Sequence, residues 1–105
     1  MDKIFHALGE KSRRYLMDLL YERNGQSLTE LSSNLKMSRQ AVTKHLKILE
    51  EANLVIPVWK GKEKLHYLNP VPLRLIYSRW MSKFDEKQIQ GLYEWKDSLE
   101  NTTQT

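Results

Sequence analysis

A chain of 105 residues is the length of one ordinary domain, and with no cysteine it has no disulfide framework, thiolate metal site or cysteine nucleophile. Seventeen Lys and Arg against 13 Asp and Glu give a formal charge of +4, with a pI near 9.4, basic without being extreme. No apolar run approaches the roughly 18 residues of a membrane span, and Met1 to Glu10 carries Asp2, Lys3 and Glu10 where a signal peptide would be apolar, so a cytoplasmic protein without membrane association is expected.

Leu occurs 16 times against 9 for Val and Ile together, which favours a mostly helical fold. A first helix is expected after Asp2, burying Ile4, Phe5 and Leu8 and interrupted at Gly9. A second carries Tyr15, Leu16, Leu19 and Leu20 at helical spacing and stops at Asn24-Gly25. Ser27-Leu28-Thr29-Glu30 reads as a capping box. It opens a short third helix with Leu28, Leu31 and Leu35 on one face, ending near Lys36-Met37. Ser38 caps a fourth helix from about Arg39 to Ala52, with Val42, Leu46 and Leu49 as its buried stripe and Asn53 as its stop.

From Leu54 the pattern becomes β-prone. Leu54 to Lys60, a Gly61-Lys62 turn and Glu63 to Leu68 predict a hairpin, with Leu65 and Tyr67 alternating against Lys64 and His66, and Pro57 marking an edge strand or bulge. Trp59 and Tyr67 are expected to pack the hairpin onto the helices. Asn69-Pro70 starts a fifth helix carrying Leu73, Ile76, Tyr77, Trp80 and Phe84. Asp85 with Gln88 begins another helix or continues the same one, holding Ile89, Leu92, Tyr93, Trp95 and Leu99. Asn101 to Thr105 reads as a frayed tail. The predicted organisation is a single domain over 1–100: a helix-turn-helix at 27–54, a wing at 55–68 and C-terminal helices at 70–100, with 101–105 as the tail.

The order of short capped helix, tight turn, amphipathic helix and hairpin is that of a winged helix-turn-helix, which lays its second helix in the DNA major groove. The fourth helix has the required donor-rich face: Arg39, Gln40, Thr43, Lys44 and Lys47 lie opposite Val42 and Leu46. Arg can bind guanine and Gln adenine in bidentate fashion, so Arg39 and Gln40 in the first turn are expected to read bases. Ser38, Thr43, Lys44, Lys47 and the wing lysines Lys60, Lys62 and Lys64 are expected on the phosphate backbone. His45, between the two faces, is assigned a packing or backbone-contact role. Glu50 and Glu51 are expected to point away from the duplex. Charge is distributed to match: Lys36 to Lys64 holds seven bases against three acids, whereas Phe84 to the C-terminus holds two against five.

These residues resemble the ArsR/SmtB-type bacterial winged-helix repressors. The resemblance runs over about residues 4–70. It rests on Ala7-Leu8-Gly9 with Ser12-Arg13-Arg14, on Leu28-Thr29-Glu30-Leu31, on Met37 to Leu49 continuing through Ala52-Asn53-Leu54-Val55, and on the hairpin from Gly61 to Tyr67. It implies a homodimer that binds double-stranded DNA, represses transcription and releases DNA when an effector arrives. Lys11 stands where members often carry proline, and Asn53 where they often carry glycine. The metal-sensing motifs are absent: the third helix offers no soft ligand and the C-terminal helices contain no His.

Half of the ten aromatic residues fall between Tyr77 and Trp95, a density suited to an interface core. The expected dimer contacts are Ile4, Phe5 and Leu8 of the first helix with Leu73, Ile76, Tyr77, Trp80, Phe84, Leu92 and Trp95. The same cluster could instead form a pocket for an apolar small-molecule effector. The three histidines show no metal-ligand spacing, no cofactor motif is present, and no hydrolase, phosphate-loop or zincin motif suggests an enzyme. The competing reading is a winged-helix module that binds protein, disfavoured by the polar character of the Arg39 to Lys44 stripe.

Overall fold

The computed structural model describes residues 1–84 and 86–103. Its elements in chain order are α1 (Asp2–Leu8), α2 (Lys11–Glu22), α3 (Leu28–Ser32), α4 (Arg39–Glu51), β1 (Val55–Lys60), β2 (Glu63–Leu68), α5 (Val71–Arg79), a 3-10 turn (Met81–Lys83) and α6 (Glu86–Thr103). Two compact units form, Met1–Leu73 and Arg74–Thr105. The first holds the winged helix-turn-helix: α1 to α4 followed by an antiparallel hairpin with Val55 opposite Leu68 and Lys60 opposite Glu63. Among the described residues, no helix is long and apolar enough to cross a membrane.

The core of the first unit draws on the predicted stripes, but Met17 takes the place expected of Tyr15, which is exposed, and Leu19 is only half-buried. Leu16 and Leu20 of α2, Leu31 of α3, Val42 and Leu49 of α4, and Leu54 and Val55 at the root of the hairpin are essentially sealed from solvent. Side-chain caps set the starts of α2, α3 and α4, as Asn69 does for α5 by accepting from the Val71 N–H at 3.2 Å. The Glu10 carboxylate accepts from the Arg13 N–H at 3.1 Å, and the Ser38 hydroxyl accepts from the Ala41 N–H at 3.1 Å. Ser27 and Glu30 form the full capping box, each side chain accepting from the other's backbone N–H at 3.2 Å. The α4 exit is a Schellman motif: Leu54 N–H bonds to Leu49 O, Asn53 N–H bonds to Glu50 O, and Asn53 takes a φ of 59°. Asn tolerates the left-handed region, so its presence where the family favours glycine leaves the motif intact.

Several expectations are corrected. The third helix ends at Ser32, short of Lys36-Met37. The Ser33 hydroxyl and Asn34 amide both donate to Glu30 O, taking an acceptor that a longer helix would use, and Leu35 N–H turns back to Ser32 O. In β2 the alternation holds, but the polar member faces inward: His66 is 3% exposed while Leu65 and Tyr67 are half-buried. Pairing with Gln26 along the other edge of β2 sets this orientation. Trp59 does not pack onto the helices; it is 65% exposed. Phe5, expected to be buried in the first helix, is exposed. The fifth helix stops at Arg79, where the Ser82 hydroxyl takes the Ser78 carbonyl and 3-10 bonds follow. Asn101 to Thr103 belongs to α6 and not to a frayed tail. Asp85, expected at the start of the last helix, and Gln104 and Thr105 of the expected tail lie outside the described residues.

Ser27→Ala removes the buried half of the capping box and should cost about 1 kcal/mol, read as a lower urea midpoint at unchanged slope. An unaltered midpoint would mean that α3 is held by packing alone. The Glu30 carboxyl is held below its ordinary value of 4.5, chiefly by a side-chain hydrogen bond from Arg23 and then by the Ser27 N–H. A depressed folded-state value stabilises the fold above 4.5 and loses that contribution as pH falls through the lower value. Acid titration of the wild type should show this loss, and Glu30→Gln should make the acid decline shallower.

Candidate nucleic-acid interface

The donor face of α4 follows from helix geometry. Residues 39, 43, 47 and 50 recur at helical spacing along one side, while Val42, Leu46 and Leu49 fill the core. The hairpin stands beside that face, and between them lies a cavity of about 530 Å³. Arg39, Thr43, Lys47 and Glu50 of α4 line one wall, and Trp59, Lys62, Lys64 and His66 of the hairpin line the other. Ser27, Leu28 and Thr29 at the start of α3 also line it.

Each expected contact residue can be located against this groove. Ser38, Arg39, Gln40, Thr43, Lys44 and Lys47 are exposed, as are Lys60 and Lys62 on the hairpin. The Thr43 hydroxyl donates to Arg39 O at 2.9 Å, leaving its oxygen free to accept but its proton committed to the helix. Gln40 and Lys44 lie on the exposed surface and do not line the cavity. Lys64 is half-buried, its ammonium 3.0 Å from Glu50 Oε1. Glu50, expected to point away from the duplex, instead forms part of the groove wall.

His45 turns toward the α1–α2 junction. Its side chain is 19% exposed, and its Nδ1 accepts from Arg13 Nη1 at 3.2 Å, which puts the neutral ring's proton on Nε2. Arg13 is buried and also donates from Nε to Ala7 O and from Nη2 to His6 O, satisfying the last carbonyls of α1. Glu10 stands 3.8 Å from the same His45 nitrogen. Desolvation raises the Glu10 pKa, but N–H bonds from Arg13 and Ser12 and the neighbouring His45 and Arg13 side chains outweigh it and hold the carboxyl below the usual range. Sequence reasoning missed Arg13 as a buried cap; its place beside Gly9 in the Ser12-Arg13-Arg14 run was the available signal.

The residues expected at a dimer interface fall in different settings. Ile4 is buried in the first unit's own core, Phe5 is exposed, and Leu8 and Leu73 are half-buried. In the second unit Ile76 is half-buried, whereas Tyr77, Trp80, Phe84, Leu92 and Trp95 are exposed. The Arg74 and Arg79 guanidiniums lie over the Tyr77 and Trp80 rings at 5.3 and 5.4 Å. Among the described residues, no group of three or more His, Asp or Glu side chains could hold a metal ion.

Residues 10–56 match the family model described as bacterial regulatory protein, arsR family. The chain is 41% identical over 86 residues to the uncharacterized HTH-type transcriptional regulator YuzN of Bacillus subtilis (strain 168), covering 76% of this chain and 94% of that protein. It is 28% identical over 89 residues to the transcriptional repressor SdpR of the same organism, covering 83% and 94%. Among solved structures, an ArsR-like transcriptional regulator from Rhodococcus sp. RHA1 superposes with a TM-score of 0.66 at 28% identity, covering 98% of this chain and 89% of that one. The chain therefore belongs to the ArsR family of bacterial transcriptional regulators.

Proposed function

We propose that this regulator is a cytoplasmic dimeric repressor that binds a pseudo-palindromic operator, with half-sites about one helical turn, ~34 Å, apart. The observation that carries the reading is the convergence of Arg39, Thr43 and Lys47 from α4 with Lys62 from the hairpin on one groove. Arg39 and Gln40, exposed in the first turn of α4, read base edges. Ser38, Lys44, Lys47, Lys60 and Lys62 hold phosphates, and Thr43 joins them by turning its hydroxyl proton from Arg39 O to the backbone of the duplex. His45 contributes through packing, since its ring is engaged by Arg13. The similarity to SdpR supports repression. A thiolate-bound metal is excluded as effector because the chain contains no cysteine.

The exposed aromatic side chains of the second unit supply the dimer contact. Apolar surface of this size is expected to be covered in a stable regulator. Trp80, Leu92 and Trp95 are its anchors, in keeping with the weight that buried aromatic residues carry at interfaces.

Fluorescence anisotropy on duplexes tiled across the gene's own upstream region, titrated with salt and competitor DNA, tests DNA binding. Selective binding that survives competitor supports the reading; binding that ignores sequence and vanishes with modest salt rejects it. On a selected site, Arg39→Ala should cost ~1–3 kcal/mol and relax sequence preference, while Lys62→Ala should weaken all sequences evenly and flatten the salt dependence. Trp80→Asp should yield monomers in sedimentation velocity; an intact dimer would move the interface elsewhere.

A further inference from the structure

The groove that would take DNA contains a carboxylate. Glu50 lies on the same face of α4 as Arg39, Thr43 and Lys47, its side chain 20% exposed and its Oε1 buried. Two wing side chains approach it: Lys64 Nζ at 3.0 Å and His66 Nε2 at 3.8 Å. His66 is not an equal partner. Its Nδ1 donates to Gln26 O at 2.8 Å, so in the neutral ring Nε2 carries a lone pair and offers Glu50 no proton. The Lys64 ammonium is the cation that balances Glu50.

We infer that Glu50 is a specificity-determining positioning residue: it holds Lys64 away from the DNA backbone and keeps a negative charge in the groove, restraining sequence-independent binding. The inference rests on the DNA-binding reading above. Each lysine that neutralises a phosphate releases counterions and adds affinity for every sequence alike. A lysine already paired with a carboxylate releases none, and the carboxylate repels the approaching phosphate. The pair also joins β2 to the C-terminal end of α4, fixing the wing relative to the helix that reads bases. Affinity then depends more on the first turn of α4 and less on the total charge of the groove.

The test measures binding to a mixed-sequence 24-base-pair duplex across a potassium chloride series, using the full chain. The wild type, Glu50→Gln, Lys64→Met and the double variant are compared. Glu50→Gln should bind about three- to tenfold tighter at low salt, with a salt slope steeper by about one phosphate contact, because Lys64 is released to the backbone. Lys64→Met alone should leave the wild-type slope unchanged, and the double variant should return to it. Loss of one unit of slope in Lys64→Met alone would show that Lys64 already contacts phosphate and would overturn the inference. So would an unchanged slope in Glu50→Gln. Lys64 sits on the more exposed side of the pair, so its variant keeps the test decisive even where Glu50→Gln weakens folding. A wild type with no salt-dependent duplex binding would remove the DNA-binding reading itself, an outcome distinct from both.

Discussion

The joint between Gln26 and His66 is the constraint on which the first unit depends. Gln26 is buried, and its side-chain amide donates to Leu19 O, which also accepts the Arg23 N–H, and to Arg23 O just past the end of α2. Its backbone bonds to His66 in both directions, and the His66 ring returns to Gln26 O. One residue after α2 thus fixes the helix end, the start of α3 and the inner edge of the hairpin. An isolated two-stranded hairpin is marginal in water, so this third edge gives the wing a definite place beside α4. Tyr67 adds to it by packing over Gly25, whose φ of 81° and close ring contact leave no room for a larger residue.

Buried polar groups organise the opposite end of the unit in the same way. Arg13 closes α1, engages His45 of α4 and lies at the start of α2, so one guanidinium ties together three helices. Burying such a group is tolerable because its donors find carbonyl and imidazole acceptors. The surface left for recognition is correspondingly well defined. Polar residues of α4 that serve the fold turn inward at His45, and those available to DNA remain exposed from Ser38 to Lys47.

Much of this was legible in the sequence. The apolar stripes, the capping box at Ser27, the cap at Ser38 and the exit at Asn53 all rest on local spacing and backbone preference, and the structure places them as those rules imply. The exposure of the polar stripe from Arg39 to Lys47 was readable for the same reason. What local rules could not supply was partner choice over distance. His66 reads as a polar residue on an outward face until Gln26, 40 positions away, pairs with its strand. Glu50 reads as lying beyond the DNA-facing part of α4 until the hairpin folds back to form a second wall. Leu35 fits the stripe of α3, yet Ser33 and Asn34 end that helix first. The pairing of Lys64 with Glu50 was likewise invisible to a count of basic residues.

Trp59 gives the wing an optical consequence. An indole standing largely in water emits at long wavelength and is open to aqueous quenchers, and this one lines the groove between α4 and the hairpin. The other two tryptophans, Trp80 and Trp95, belong to the second compact unit. The chain therefore carries a natural chromophore in each unit. Trp80 and Trp95 are exposed as well, so the share of the emission that changes when the groove is occupied separates Trp59 from the two indoles of the second unit.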